Sequence, residues 1–283
     1  MRVIPALVPL LLLSTFLSAT EWRLVWSEEF NVPGKPDPKV WNFEKGFLRN
    51  QEPQYYTDRN AIVRDGCLVI TGRREQVPNE AYSPSAPEKD WRKSRKSANY
   101  TSSSITTEHK KEFFYGRIAV RAKCPKGSGM WPAIWTIGAS ASRPKDSPEF
   151  KGWPASGEID IMEYAGKNPA ETTAAIHCAK DSKPRGAKHI SPKSAYLPAT
   201  PHDGFHIYAL EWDSNRLRIL YDERLVLEMP LSKADTPDGW NPFRQPHYLL
   251  LNLALGTNFG GPIDDSALPA EFLVDYVRYY QKP

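Results

Sequence analysis

Short hydrophobic segments that alternate with a period of two constrain the fold of this chain more than any other feature. They are separated by Gly, Pro, Asn and Asp, and none has a sustained helical period. The clearest example runs from Phe205 to Glu228, where turns at 213–215 and 222–223 separate three alternating segments. Many such segments without a repeat period predict an all-β protein of two packed sheets rather than a propeller.

Further strands are predicted along the whole chain, at 24–26, 67–71, 115–122, 133–137, 158–164, 172–177, 248–255 and 272–280. The segment from Arg73 to Ala98 differs in texture, because it is rich in Pro, Ser, Glu, Lys and Arg and has few large hydrophobic residues. It predicts a long surface loop, which either forms a wall of a cleft or is a solvated excursion.

One predicted strand, Gly157-Glu158-Ile159-Asp160-Ile161-Met162-Glu163-Tyr164, carries three carboxylates between hydrophobic residues. Glu158 and Asp160 share a face, but Glu163 is five positions from Glu158 and would point into the core of a regular strand. Burying it unpaired would cost several kcal/mol. A β-bulge that absorbs one residue, most simply near Met162, would bring all three acids to one surface.

Paired carboxylates on one face can act as nucleophile and as acid/base catalyst at a glycosidic bond, because each raises the pKa of the other. A solvated acidic strand or a calcium-binding edge is the alternative. Three tryptophans flank this strand: Trp131 and Trp135 are four residues apart, and Trp153 precedes Glu158 by five. They are either part of the core or the stacking surfaces of a sugar-binding cleft, and their grouping around the acids favours the cleft.

At these residues the sequence resembles the family sixteen glycoside hydrolases. GEIDIMEY is similar to their active-site signature in its bulged form, and similarity extends to 24–31, 129–135, 205–212 and 275–280. The resemblance therefore covers essentially the whole chain after residue 20. It implies a β-jelly-roll sandwich of two antiparallel sheets, with a concave face that forms an open substrate cleft.

The resemblance also implies the chemistry, which is retaining endo-hydrolysis of a β-linked polysaccharide by double displacement. Glu158 matches the nucleophile and Glu163 matches the general acid/base. Asp160, between them, matches a residue that assists through hydrogen bonding and charge. No cofactor is expected for catalysis.

Substrate contacts are expected from Asn50, the three tryptophans, and His177, although a lone histidine is more often structural. The bulged motif together with GMWPAIW is most similar to the laminarinase branch, so an endo-β-1,3-glucanase is the preferred interpretation. Enzymes for mixed-linkage glucans or for agar- or carrageenan-type galactans, a transglycosylase, and a non-catalytic glucan-binding protein are the alternatives. Ser104 and Phe259 replace residues common in relatives and leave the sugar subsites open.

The resemblance further implies a structural calcium on the convex side, held by backbone oxygens near the first strand and an aspartate of the last, with Glu29, Gly66 and Asp275 at the matching positions. A chain without metal is the alternative.

Residues 1–20 have the layout of a secretory signal peptide, with one charge, a hydrophobic run and small residues at its end. We therefore predict a single catalytic domain at 21–283, secreted or periplasmic, monomeric, and free of the membrane after cleavage. Cys67, Cys124 and Cys178 can form at most one disulfide. The formal net charge of +4 is too small to suggest a nucleic-acid partner.

Overall fold

The computed structural model describes residues 21–181, 189–196 and 201–283. Its strands are β1 (Arg23–Glu28), β2 (Asn42–Glu44), β3 (Gln54–Tyr56), β4 (Ala61–Arg64), β5 (Cys67–Pro78), β6 (Ser97–Ser102), β7 (Ser104–Thr106), β8 (Gly116–Lys123), β9 (Met130–Gly138), β10 (Glu158–Tyr164), β11 (Thr172–Ala179), β12 (His189–Ile190), β13 (Lys193–Tyr196), β14 (His206–Trp212), β15 (Arg216–Tyr221), β16 (Arg224–Pro230), β17 (His247–Leu255) and β18 (Ala270–Gln281). Two single-turn α-helices, α1 (Trp91–Ser94) and α2 (Thr257–Gly260), and four 3-10 turns lie in the connections, the turns at Asp58–Asn60, Ala139–Ser142, Leu231–Ala234 and Asp265–Ala267.

The strands form two sheets, as the alternation predicted. The sheet that we call the back sheet has the order β16-β15-β14-β8-β18-β5-β6-β3, with β1 beside β18 and β4 beside β5. The other, the cleft sheet, has the order β12-β11-β10-β9-β17-β7-β2, with β13 beside β11. Neighbours are antiparallel except β3 and β6, which are parallel. The predicted jelly-roll sandwich is confirmed.

Strand β17 shows how alternation separates the core from the cleft. Leu249, Leu251, Leu253 and Leu255 belong to the hydrophobic core between the sheets. The residues between them point to the opposite face, where Leu250 and Asn252 line an open cleft. Because side chains of a strand point alternately to its two faces, one sequence run supplies both surfaces.

The segment 73–98 is only partly the loop that the sequence predicted. Strand β5 continues to Pro78 and β6 begins at Ser97, and the two strands pair with each other. The connection between them, residues 79–96, contains α1. Its composition, rich in polar and charged residues, hid the strand ends on either side.

Two further predictions concern processing and redox state. The predicted signal peptide, 1–20, lies outside the described residues. Among the described residues, no helix is long and apolar enough to cross a bilayer. Cys67 and Cys124 are free thiols, and both Cys124 and Cys178 are buried.

Candidate active site

An open cleft of about 510 Å³ lies on the outer face of the cleft sheet. Its floor comes from β9, β10 and β17, and its walls come from β2, from the β2–β3, β5–β6 and β9–β10 connections, and from the segment that follows β7. The lining residues are Glu44, Arg49, Asn50, Glu52, Arg92, Glu108, Trp131, Ala133, Trp135, Ile137, Ala141, Trp153, Glu158, Asp160, Glu163, Tyr248, Leu250, Asn252 and Ala254.

Strand β10 contains the predicted bulge. On its β9 side, Asp160 pairs with Trp135 and Met162 pairs with the next residue of β9, Ile134, so β10 carries one extra residue between these pairs. Ile161 and Met162 are consecutive yet both buried in the core, 2% and 1% exposed. Since two successive residues point inward, the phase shifts by one and Glu163 joins the other acids in the cleft.

His177 lies against the acids rather than apart from them. It sits on β11 directly opposite Glu158 in the strand pairing. Its Nε2 is 3.2 Å from Asp160 Oδ2 and 4.0 Å from Glu158 Oε1. Its Nδ1 is 3.0 Å from Ser191 Oγ. When the Ser191 hydroxyl donates its proton to Nδ1, the proton of the neutral ring is on Nε2, from which it is donated to Asp160. The predicted contact of His177 with substrate stays a prediction.

Burial raises the pKa of all three cleft carboxyls. The pKa of Glu158 lies well above its usual range because of burial and the nearby charge of Asp160, to which it is hydrogen-bonded. The pKa of Asp160 is raised well above its usual range by burial and by Glu163. Burial also raises the pKa of Glu163, against a hydrogen bond from Trp131 and the positive charge of Lys193. Burial and mutual repulsion thus disfavour the simultaneous ionisation of all three carboxyls.

One ligand atom each from Glu158, Asp160 and His177 lies within 4.8 Å of the others, which is close enough to hold a metal ion. Asp160 is hydrogen-bonded to Glu158 and lies within hydrogen-bonding distance of His177. This bonding accounts for the cluster without a cation.

The three tryptophans all line the cleft, in different ways. Trp131 donates its Nε1 proton to Glu163 at 3.1 Å, and its ring packs against Phe259 with centroids 4.8 Å apart. Trp135 donates to Asn252 Oδ1 at 2.7 Å, and the Arg49 guanidinium covers its ring at 4.9 Å. Trp153 is 49% exposed, which makes it the most open of the three aromatic surfaces.

Asn50 lies in the cleft wall, as predicted, within a polar network that the sequence analysis missed. Its Nδ2 donates to Glu52 Oε1 at 3.1 Å. The other Glu52 oxygen accepts from Gln54 at 2.6 Å and from the Tyr56 hydroxyl at 3.3 Å. Next to it, Arg49 forms a paired hydrogen bond with Glu44. These residues lie on short strands and turns, which have no alternation to reveal them.

Asn252, in contrast, had a visible signal in the sequence. It is the single amide within the run HYLLLNLAL, at a position in phase with the cleft-facing residues of β17. A lone polar residue in such a run costs free energy unless it is hydrogen-bonded. Asn252 accepts from Trp135 and donates to Tyr56 at 3.2 Å.

This geometry agrees with the comparison with known families, in which a sequence model of glycosyl hydrolases family 16 matches residues 54–277. The chain belongs to this family. A β-glucanase of Rhodothermus marinus is 36% identical to it, over 93% of this chain and 86% of the relative. This hydrolase therefore shares its family and its fold with known glycosidases.

Two solved structures resemble this family 16 hydrolase along nearly its whole length. The laminarinase catalytic domain of Thermotoga maritima has a TM-score of 0.76 and 36% identity, covering 93% of this chain and 99% of that one. A structure described with endo-acting O-glycanases that initiate mucin breakdown in the human gut microbiota has a TM-score of 0.84 and 38% identity, covering 94% and 92%.

The residues expected to bind calcium in this hydrolase are engaged otherwise. Both carboxylate oxygens of Glu29 accept hydrogen bonds from Arg278, each at 2.9 Å. Asp275 forms an ion pair with Arg121, and Gly66 lies in the β4–β5 turn with a φ of 73°. Asp275 is the expected side-chain ligand, and its carboxylate is paired with Arg121 here, so we assign calcium no part in the chemistry. Its binding stays a prediction.

Proposed function

We propose that this hydrolase cleaves internal β-1,3 linkages of laminarin-like glucans with retention of configuration. The observation that carries the proposal is the bulge in β10, which gathers three carboxyls, Asp160 buried and Glu158 and Glu163 half-buried, in an open cleft lined by tryptophans. An open cleft suits a long chain that is cut internally. The relatives named as a β-glucanase and a laminarinase support glucan as the substrate.

In the first half of the proposed reaction, ionised Glu158 attacks the anomeric carbon and forms a glycosyl ester. The bond to the leaving oxygen breaks as the Glu163 carboxyl transfers its proton to that oxygen. In the second half, the Glu163 carboxylate takes a proton from water. The resulting oxygen attacks the anomeric carbon from the opposite side and releases Glu158. Two inversions restore the β configuration.

Asp160 allows Glu158 to be ionised in spite of its burial. The hydrogen bond between the two raises the pKa of Glu158 and lowers that of Asp160, so Glu158 donates to Asp160 in the free protein. In this proposal the proton moves to Asp160 before the attack, and Asp160 then donates to the Glu158 carboxylate. His177, 3.2 Å from Asp160, donates from Nε2 to the other lone pairs of that carboxyl. Both groups thus orient the nucleophile without touching the reacting atoms, and both are positioning residues.

Two measurements test this function. Laminarin, lichenan, agarose, carrageenan and xyloglucan are incubated separately with the protein, and product sizes are followed. Internal cleavage of laminarin in preference to the others is expected, with mid-sized oligosaccharides early in the reaction. Proton NMR during the first turnovers should show the β anomer first, and an initial α anomer would refute double displacement.

A second candidate function comes from the structural comparison. The structure described with mucin-degrading endo-acting O-glycanases has a higher TM-score than the laminarinase, 0.84 against 0.76. In this alternative the same acids would cleave within mucin-type O-glycan chains. Mucin glycans added to the substrate panel decide between the two, because release of oligosaccharides from mucin without cleavage of laminarin favours the second.

We also infer that residues 1–20 are removed on export, giving a secreted or periplasmic monomer. The layout of this segment supports export. N-terminal sequencing of the mature protein tests the cleavage, and light scattering during size-exclusion chromatography tests the oligomeric state. An N-terminus at Met1 in the exported protein, or a dimer mass, would contradict these inferences.

A further inference from the structure

The turn that carries Asn50 into the cleft has an unfavourable backbone. Asn50 and Gln51 both have φ of 53°, in the left-handed region. Asparagine tolerates this region, but glutamine does so poorly, because its side chain does not support the conformation. Within the turn itself, one backbone hydrogen bond closes it, from the Glu52 N–H to the Arg49 carbonyl at 3.1 Å.

Two arginines of the β5–β6 connection donate hydrogen bonds to the backbone carbonyls of this turn. Arg95 donates to the carbonyl of Glu52 at 2.8 Å and to the carbonyl of Gln51 at 3.0 Å. Arg92 donates from Nε to the carbonyl of Leu48 at 2.7 Å. The carbonyls on both sides of Asn50 are therefore held by side chains more than 40 residues away.

Aromatic packing holds Arg95 itself in place. Its guanidinium lies 5.1 Å from the ring centroid of Phe47 and 4.9 Å from that of Trp91. Phe47 and Tyr55 form a small hydrophobic cluster against which Trp91 packs. The planar guanidinium stacks on these rings and donates to two carbonyls at once. A lysine ammonium at this position would reproduce neither the stacking nor the paired geometry.

The position of this turn determines where two cleft side chains, those of Arg49 and Asn50, lie. Asn50 lines the cleft, with its amide nitrogen committed to Glu52. The preceding residue, Arg49, covers Trp135 at 4.9 Å. A displacement of the turn would therefore move both a polar sugar contact and the surface of an aromatic one.

We propose that Arg95, assisted by Arg92, is a positioning residue that sets substrate affinity by holding the 49–52 turn in its left-handed conformation. The β5–β6 connection is thus a specificity element of the cleft rather than a solvated excursion. The proposal rests on the proposed function, because it takes Asn50 to be a contact of the bound glycan.

The test compares Arg95→Ala, Arg95→Lys, Asn50→Ala and the double variant Arg95→Ala/Asn50→Ala. Lys93→Ala is the matched control, because Lys93 lies in α1 two residues before Arg95, is exposed, and forms its ion pair among the described residues with Asp90, at 4.0 Å. We expect Arg95→Ala to raise KM about tenfold with kcat within about twofold, Arg95→Lys to recover little, and the control to match the parent. The effect of the double variant should fall short of the sum of the two single effects, since both changes act on the Asn50 contact.

A second readout does not depend on activity. Amide hydrogen exchange at 50–52 should accelerate in Arg95→Ala and Arg95→Lys but not in Lys93→Ala. If the parent cleaves no polysaccharide, the proposed function fails and exchange alone decides the role of Arg95. If Arg95→Ala does not fold, Arg95→Lys replaces it in every comparison. Unchanged exchange, unchanged KM, or effects of Arg95→Ala and Asn50→Ala that add in full would overturn the proposal.

Discussion

Met162 fills part of the core with its side chain, and its backbone is the extra residue that sets the phase of Glu163 on β10. Shortening the side chain changes the first role and leaves the second. Met162 is 1% exposed and lies in the main core. Truncating a buried methionine to alanine costs about 2–5 kcal/mol of unfolding free energy. At about 2–4 °C per kcal/mol for a domain of this size, Met162→Ala should lower the Tm by roughly 4–20 °C. Its activity well below the Tm should remain within about twofold, because the side chain points away from the cleft.

Changing the length of the strand tests phase instead of volume. Deleting Met162 leaves Glu158, Asp160 and Glu163 on alternate positions of a regular strand, so all three still face the cleft. The deletion should cost stability comparable to Met162→Ala and retain measurable activity. Inserting one alanine after Asp160 turns Glu163 toward the core. Loss of the acid/base catalyst then lowers the rate by at least about 10²–10⁴-fold.

The assay pairs calorimetric unfolding with kcat/KM on the best substrate of the panel, at a temperature where every variant is folded. We expect one order of activity: the parent and Met162→Ala are active, the deletion is active but weaker, and the insertion is inactive. If deletion and insertion abolish activity equally, phase does not explain the placement of Glu163. If Met162→Ala unfolds within about 1 °C of the parent, the core position of this side chain is wrong.

Three further substitutions test individual groups of the site. Glu158→Gln should lower kcat by at least about 10³-fold because an amide cannot attack the anomeric carbon, and residual activity of a few per cent would reject Glu158 as nucleophile. The same variant should have a Tm at pH 7 at or above the parent's. Folding raises the pKa of Glu158, so this carboxyl destabilises the native state progressively as the pH rises from its unfolded pKa, about 4.3, toward its raised native pKa. The gain from the amide should therefore vanish as the pH falls to about 4. Trp131→Phe removes a hydrogen bond that favours ionised Glu163, so the pKa of Glu163 should rise. Because Glu163 must be protonated to act as the general acid, the alkaline limb of the kcat/KM profile should move to higher pH. An unchanged limb, or one at lower pH, would contradict this. Trp153→Ala should raise KM roughly fivefold, which corresponds to about 1 kcal/mol of lost contact, because this side chain is half-exposed on the cleft. The Tm should not change. A folding defect with an unchanged KM would instead assign Trp153 a structural role.

The sequence by itself determined the features of this protein that depend on local phase. Alternation along β9, β10 and β17 separated core from cleft residues, because the two faces of a strand are fixed by backbone geometry alone. The bulge followed from the same rule, since Glu163 was out of phase and burying it unpaired was too costly. Strands of three residues, such as β2 and β7, were not predicted, because three residues are too few to show an alternating pattern.

The tertiary structure alone decided which residues meet across strands and connections. His177 reaches Asp160 because the antiparallel pairing of β10 with β11 sets it opposite Glu158. Arg95 reaches the turn of Asn50 because the β5–β6 connection folds back over it. Phase is a property of neighbouring residues, whereas strand register and the path of a connection depend on packing between segments far apart in the chain, and no local pattern records them.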